Sequence, residues 1–128
     1  VSRSIALTAD ERRTIDRGRF VVVDFGGTVD VDGIVLASAL VGRVAGGSLR
    51  AYANVCRHQD VPLDLGTGEP MTDDGRHLFC LRHGALYQPS TGRCTSGPCE
   101  GATLFRMPVE ENGDGEVVVV LDLLPSMP

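Results

Sequence analysis

The sequence has no lysine. All 12 of its basic residues are arginine, a bias that points to a high-GC genome and carries no functional weight. There is no basic run either, and with 17 acidic residues the formal charge is −5. A nucleic acid or an acidic membrane surface would find nothing on this chain to hold it. Long apolar runs are also missing. The two longest, 34–41 and 117–124, are interrupted by Ser38 and Asp122 and fall far short of the roughly 20 residues that a membrane helix needs. Val1 to Leu7 lead directly into Asp10-Glu11-Arg12-Arg13 with no apolar segment between, which is the pattern of neither a general secretory nor a twin-arginine leader. The expected compartment is therefore the cytoplasm. At 128 residues, 42% hydrophobic and 23% charged, the chain fits one domain and leaves no room for a second of ordinary size.

Glycine, by contrast, is abundant at 16 residues, and short apolar runs alternate with Gly, Asp and Asn clusters in the manner of an all-β domain. The expected strands are 19–25, 34–43, 49–54, 76–80, 103–109 and 116–121. Gly46-Gly47 and Asn112-Gly113-Asp114-Gly115 read as hairpin turns. The run 34–41 does not alternate, so it lies between two apolar layers or carries a bulge. Thr8-Ala9-Asp10-Glu11 has the spacing of a capping box, but little apolar periodicity follows, so one turn of helix at most is expected before Gly18.

Residues 55–101 differ in texture. All four cysteines, all three histidines and four of the seven prolines lie there. Within this segment Cys56-Arg57-His58 and Cys80-Leu81-Arg82-His83 form two short Cys/His pairs. Thiolate and imidazole together suit a borderline-soft metal, and the short spacing lets one loop offer two ligands to a common centre. A tetrahedral structural zinc satisfies two Cys and two His. However, zinc modules usually pair like with like in each loop, and the residues after each histidine, Gln59-Asp60-Val61-Pro62 and Gly84-Ala85, look non-helical. A binuclear iron centre accommodates the mixture, with Cys56 and Cys80 on one iron and His58 and His83 on the other.

These motifs, taken in order, resemble a Rieske iron-sulfur protein of the soluble ferredoxin type. Cys56-Arg57-His58 and Cys80-Leu81-Arg82-His83-Gly84 match its two ligand loops. Thr91-Gly92 and Ser96-Gly97-Pro98 match its turn and the proline loop that covers the cluster, and 104–109 matches the strand that follows. The likeness spans residues 20–121. It implies an antiparallel β-sandwich with a small inserted cluster-binding subdomain at about 55–101, within a single domain of residues 1–128. The implied cofactor is one [2Fe-2S] cluster held by Cys56, His58, Cys80 and His83. The implied role is that of a one-electron carrier from a reductase to a terminal oxygenase, not itself an enzyme and with no small-molecule substrate. A small subunit of an enzyme complex such as assimilatory nitrite reductase is the alternative.

High-potential members of the family bridge their ligand loops with a disulfide, and the matching positions here are Val61 and Arg82. Those members also place a Ser after His-Gly, where this chain has Ala85, although Tyr87 matches a hydroxyl donor to a ligand sulfur. With fewer donors, the resemblance implies a potential of roughly −150 to 0 mV.

Several other residues have expected roles. Arg57 and Arg82 either dock a partner's carboxylates or are solvated side chains. Asp60, Asp64, Glu69, Asp73 and Asp74 read as a solvated face, with the steering of a reductase as the alternative. Cys94 and Cys99 are expected to be thiols, partly buried, with a disulfide that braces the cover loop as the alternative. His77 is expected on the surface of a strand, and Pro62 and Leu63 are expected to pack against Phe79 or Tyr87.

Overall fold

The structure, a computed structural model, describes residues 3–31, 33–57, 61–82 and 84–123. In chain order its elements are β1 (Ser4–Ala6), α1 (Ala9–Asp16), β2 (Val21–Val31), β3 (Ile34–Arg43), β4 (Leu49–Ala53), β5 (Leu78–Phe79), β6 (Leu86–Tyr87), β7 (Cys94–Ser96), β8 (Arg106–Met107), β9 (Val109–Glu111) and β10 (Val117–Val120). The strands form three antiparallel sheets, ordered β1-β10-β9, β2-β3-β4-β8 and β5-β6-β7. This is the all-β architecture expected from the glycine-punctuated sequence. None of the described helices is long and apolar enough to cross a membrane.

β3 occupies the span expected for it, and its lack of alternation has a physical cause. Ala39 and Val41 face one apolar group, which includes Val23, Val29, Met107 and Val119. Leu40, between them, faces a second group that contains Phe20, Tyr52, Leu78 and Tyr87. β4 repeats the arrangement, with Ala51 and Ala53 on the first side and Tyr52 on the second. A strand covered on both faces reads as continuously apolar. The irregularity in register belongs to its neighbour β2, between Asp24 and Val29.

Other boundaries differ from expectation. α1 runs for eight residues rather than a single turn. The capping box is present, with the Thr8 N–H donating to Glu11 Oε1 at 2.8 Å and the Glu11 N–H to Thr8 Oγ1 at 3.1 Å. Burial of Ile15 in the first core then extends the helix beyond what its own periodicity supports. β2 continues through Gly26 and Gly27 to Val31. The expected strand 103–109 is split: β8 pairs with β4, and after Pro108, which has no N–H to give, β9 pairs with β10 in another sheet. β1, β6 and β7 are too short to show a period. Both expected turns join paired strands: Gly46-Gly47 lies between β3 and β4, and Asn112–Gly115 between β9 and β10.

The Phe20 ring stacks on Tyr52, with centroids 6.3 Å apart, and lies flat over Gly42. A Cβ at position 42 would lie 2.2 Å from a Phe20 ring carbon, whereas at Gly27 it would meet nothing within 4 Å. Gly42→Ala is therefore expected to cost about 1–3 kcal/mol through displacement of Phe20. Chemical denaturation will show this as a lowered midpoint, with Gly27→Ala much closer to the parent.

Candidate metal centre

Two loops of matching construction lie at one end of the second core. The first leaves β4 through Asn54 and Val55, and the Cys56 N–H closes it by donating to Val61 O at 2.8 Å. The second follows β5, and the Cys80 N–H closes it by donating to Ala85 O at 2.9 Å. Each closure spans five residues. The Leu81 N–H donates to Leu63 O at 2.9 Å and ties one loop to the other. Cys56 and Cys80 are both buried and belong to the same apolar group, with Leu63, Ala85 and Tyr87. Of the four expected ligands, the structure thus brings the two cysteines into one group. His58 and His83 lie outside the described residues, as does Asp60.

Behind the first loop is a buried polar knot that sequence reading missed. Asn54 donates through Nδ2 to Asp64 Oδ1 and to Ser38 Oγ, each at 3.0 Å, and its Oδ1 accepts the Leu63 N–H at 2.9 Å. Asp64 Oδ2 accepts the Gly68 N–H at 2.9 Å. Asp64 is only 3% exposed, so it does not belong to the solvated acidic face expected for it, while Glu69, Asp73 and Asp74 are exposed. The polar bonds compensate its burial and hold the loop to β3 and β4. No spacing rule marks an Asn and an Asp ten residues apart as partners.

The remaining expectations divide. Leu63 is fully buried, whereas Pro62 is exposed. His77 is half-buried in a bend just before β5, where its N–H donates to Thr72 Oγ1, and is not in a strand. Arg57 is neither of its two alternatives in pure form. Its guanidinium lies 4.3 Å from the Phe105 ring centroid and donates to Thr103 O, so its charge is held in place beside Cys56. Arg82 is exposed. A groove of about 650 Å³ lined by Val35, Val55, Cys56, Arg57 and Phe105 opens beside the first loop.

Ser96-Gly97-Pro98 is exposed and lies over the second loop: a Cβ at Gly97, where φ is +107°, would stand 2.9 Å from Ala85 Cα. Only glycine allows both that approach and that backbone. Cys94 and Cys99, on either side, are buried and not joined by a disulfide. Their Sγ atoms are 3.1 Å apart, and Cys94 donates to Ser96 O. Burial, then the bond to Cys99, pushes the Cys94 thiol up to about 11.

The Tyr87 hydroxyl lies between the two sulfur sites. It accepts the Arg57 N–H at 3.2 Å and stands 3.6 Å from Cys56 Sγ and 2.9 Å from Cys99 Sγ. Burial, followed by these two sulfur contacts, raises its pKa well above the ordinary value.

The Rieske [2Fe-2S] domain family model matches residues 7–122. The chain belongs to the Rieske family. Among solved structures, this Rieske domain is similar to the ferredoxin of carbazole 1,9a-dioxygenase from Nocardioides aromaticivorans IC177, with 25% identity over 92% of this chain and 97% of that one and a TM-score of 0.55. It is also similar to a chain of the complex of reduced oxygenase and oxidized ferredoxin in carbazole 1,9a-dioxygenase, with 24% identity, 96% and 97% covered and a TM-score of 0.66. A proposed NADH-dependent nitrite reductase small subunit from Mycobacterium tuberculosis shares the fold at 17% identity, with 94% and 96% covered and a TM-score of 0.55. A search among proteins of curated function finds no match.

A Rieske domain binds one [2Fe-2S] cluster. The chemistry of the donors present here fits that group: two buried thiols at equivalent places in two facing loops, with a hydroxyl directed at one of them.

Both tyrosines of this Rieske domain are expected to titrate late. Burial, first among its causes, pushes Tyr52 from 10.0 up to about 12, and its hydroxyl donates to Pro89 O at 2.7 Å. A raised folded-state pKa leaves stability intact below about pH 10 and removes about 2 to 3 kcal/mol as the pH climbs through 12. Denaturation at stepped alkaline pH is expected to show that fall, and Tyr52→Phe to reduce it, the remainder belonging to Tyr87. With only two tyrosines in the chain, tyrosinate absorbance of the folded protein should show no step near pH 10.

Proposed function

We propose that this Rieske domain is a one-electron carrier that accepts electrons from a reductase and delivers them to a terminal oxygenase. In this reading Cys56 and Cys80 ligate one iron and His58 and His83 the other. The single domain 1–128 then carries its cluster-binding part at about 55–101. The observation that carries the proposal is the pair of loops closed alike around two buried cysteines, with the Tyr87 hydroxyl aimed at the sulfur of one. When bound, the cluster supplies a reversible one-electron couple whose net charge goes from about 0 to −1.

The chain's own residues do the rest. Leu63, Leu78 and Ala85 exclude water from the cysteine side, and the closed loops keep both thiols in place. The Tyr87 O–H is within reach of Cys56 Sγ, shared there with Cys99, and its bond to Cys56 strengthens as negative charge accumulates on sulfur. Arg57, pinned on Phe105, keeps a positive charge next to the site. Leu81 and Arg82, just before His83 in the chain, are exposed, as are Val35 and Leu65, so a partner can come close to the ligand loops. Electron tunnelling needs that proximity and no substrate pocket. In this reading the carrier works in the cytoplasm, where Cys94 and Cys99 would be kept reduced.

The full-length likeness in fold to the nitrite reductase small subunit favours one second reading, a subunit held permanently in a larger enzyme. A carrier is purified alone and is reducible alone, whereas a subunit is recovered in stoichiometric complex with a larger chain.

The deciding experiment is electron paramagnetic resonance of dithionite-reduced protein, with iron and sulfide assayed on the same sample. A rhombic signal with an average g-value below that of all-cysteine clusters is expected, lost in Cys56→Ala and Cys80→Ala and altered or lost in His83→Cys. A silent sample with zinc in place of iron rejects the carrier. Tyr87→Phe should keep the cluster and lower its potential. A hydrogen bond worth about 1 kcal/mol more to the reduced form corresponds to about 40 mV for a one-electron couple, which protein-film voltammetry resolves.

A further inference from the structure

Cys94 and Cys99 have no part in the proposed electron path, and their geometry is that of a site in its own right. Their Sγ atoms are 3.1 Å apart, and a disulfide holds sulfurs at about 2.05 Å, so closure asks for a movement of about 1 Å. The backbone on either side is already braced: the Cys94 N–H donates to Ala102 O at 2.7 Å, the Ala102 N–H to Cys99 O at 2.9 Å and the Gly101 N–H to Cys94 O at 2.9 Å. The two sulfurs are unequal. Cys94 has no exposure, while Cys99 is 9% exposed at the edge of the cover loop.

We propose that Cys94 and Cys99 form a reversible dithiol–disulfide site for small hydroperoxides, and that its closure draws Cys99 away from the Tyr87 hydroxyl and leaves that hydroxyl to Cys56.

Cys99, the thiol nearer solvent, attacks one oxygen of the peroxide as thiolate. The O–O bond breaks, Cys99 becomes the sulfenic acid, and the other oxygen leaves as alkoxide or hydroxide, which takes up the proton that Cys99 lost and departs as alcohol or, from hydrogen peroxide, as water. The Cys94 sulfur then attacks the Cys99 sulfur and displaces its hydroxyl, which departs with the Cys94 proton as a second water. Two thiols and one hydrogen peroxide thus yield one disulfide and two waters. An external dithiol reverses the reaction and is itself oxidised to a disulfide.

The coupling to Cys56 rests on a proton count. Tyr87 has one O–H, and its oxygen already accepts the Arg57 N–H. That single proton has two sulfur acceptors, Cys99 at 2.9 Å and Cys56 at 3.6 Å. Movement of Cys99 toward Cys94 removes the nearer one. This half of the proposal depends on the carrier reading, while the dithiol itself does not.

Trypsin reads the dithiol directly, because cleavage after Arg93 and Arg106 releases a peptide of residues 94–106 that holds Cys94 and Cys99 but neither Cys56 nor Cys80. Holoprotein is treated with hydrogen peroxide, quenched with catalase, denatured in iodoacetamide and digested. The expected 94–106 peptide carries no alkyl group and is lighter by two hydrogens, and dithiothreitol before alkylation restores two alkylated cysteines. In Cys94→Ser, Cys99 should instead accumulate as a sulfenic acid trapped by dimedone. A 94–106 peptide alkylated at both cysteines after peroxide, or one oxidised at Cys99 with Cys94 still alkylated, overturns the site. For the coupling, the closed form should show a higher cluster potential than the open form, with the difference abolished in Tyr87→Phe, and equal potentials would overturn it. Protein without a cluster would reject the carrier reading, while the peptide result would still decide the dithiol.

Discussion

Strands β3 and β4 are apolar on both faces, and the rest of the molecule is arranged around that constraint. One face, with Ala39, Val41, Ala51 and Ala53, takes the larger framework core. The other presents Leu40 and Tyr52 to the residues that follow β4. A strand pair with water on one side would have left Leu63, Leu78, Ala85 and Tyr87 without an apolar surface to fold against. Because β3 and β4 are shared, the first cysteine loop is anchored to the sheet through Asn54 and Ser38, and the second is tied to it by the Leu81 N–H to Leu63 O bond.

That anchoring also sets the electrostatics of the site. The Asn54 and Asp64 knot fixes the first loop, so Arg57 emerges where Phe105 and Thr103 hold its guanidinium. Tyr87, on β6 of the third sheet, reaches the same loop through its hydroxyl. The hydroxyl therefore meets Cys56 and Cys99 at once, and a residue whose role in the family resemblance is a simple donor becomes here the junction of two sulfur sites.

Much of this was legible before any coordinates. The chain order of Cys56, His58, Cys80 and His83, with the turn and cover-loop residues after them, identified the family, because ligand spacing within a loop is a covalent property that survives any repacking. The span of β3 and both hairpin turns were legible for the same local reason. β6 and β7 were missed because strands of two and three residues are too short to show a period, and α1 was underestimated because its length depends on a cavity for Ile15 that other strands build.

The sequence by itself determined the class of fold, the family and the set of candidate ligands, all of which depend on residue type and short spacing. Tertiary structure alone decided that Asp64 is a buried hydrogen-bond partner and not a surface charge, that Arg57 lies on Phe105, and that Cys99 shares Tyr87 with Cys56. Each of these joins residues 10 to 48 positions apart, and whether such groups meet depends on the path of the whole chain and on the burial that makes an unpaired polar group costly.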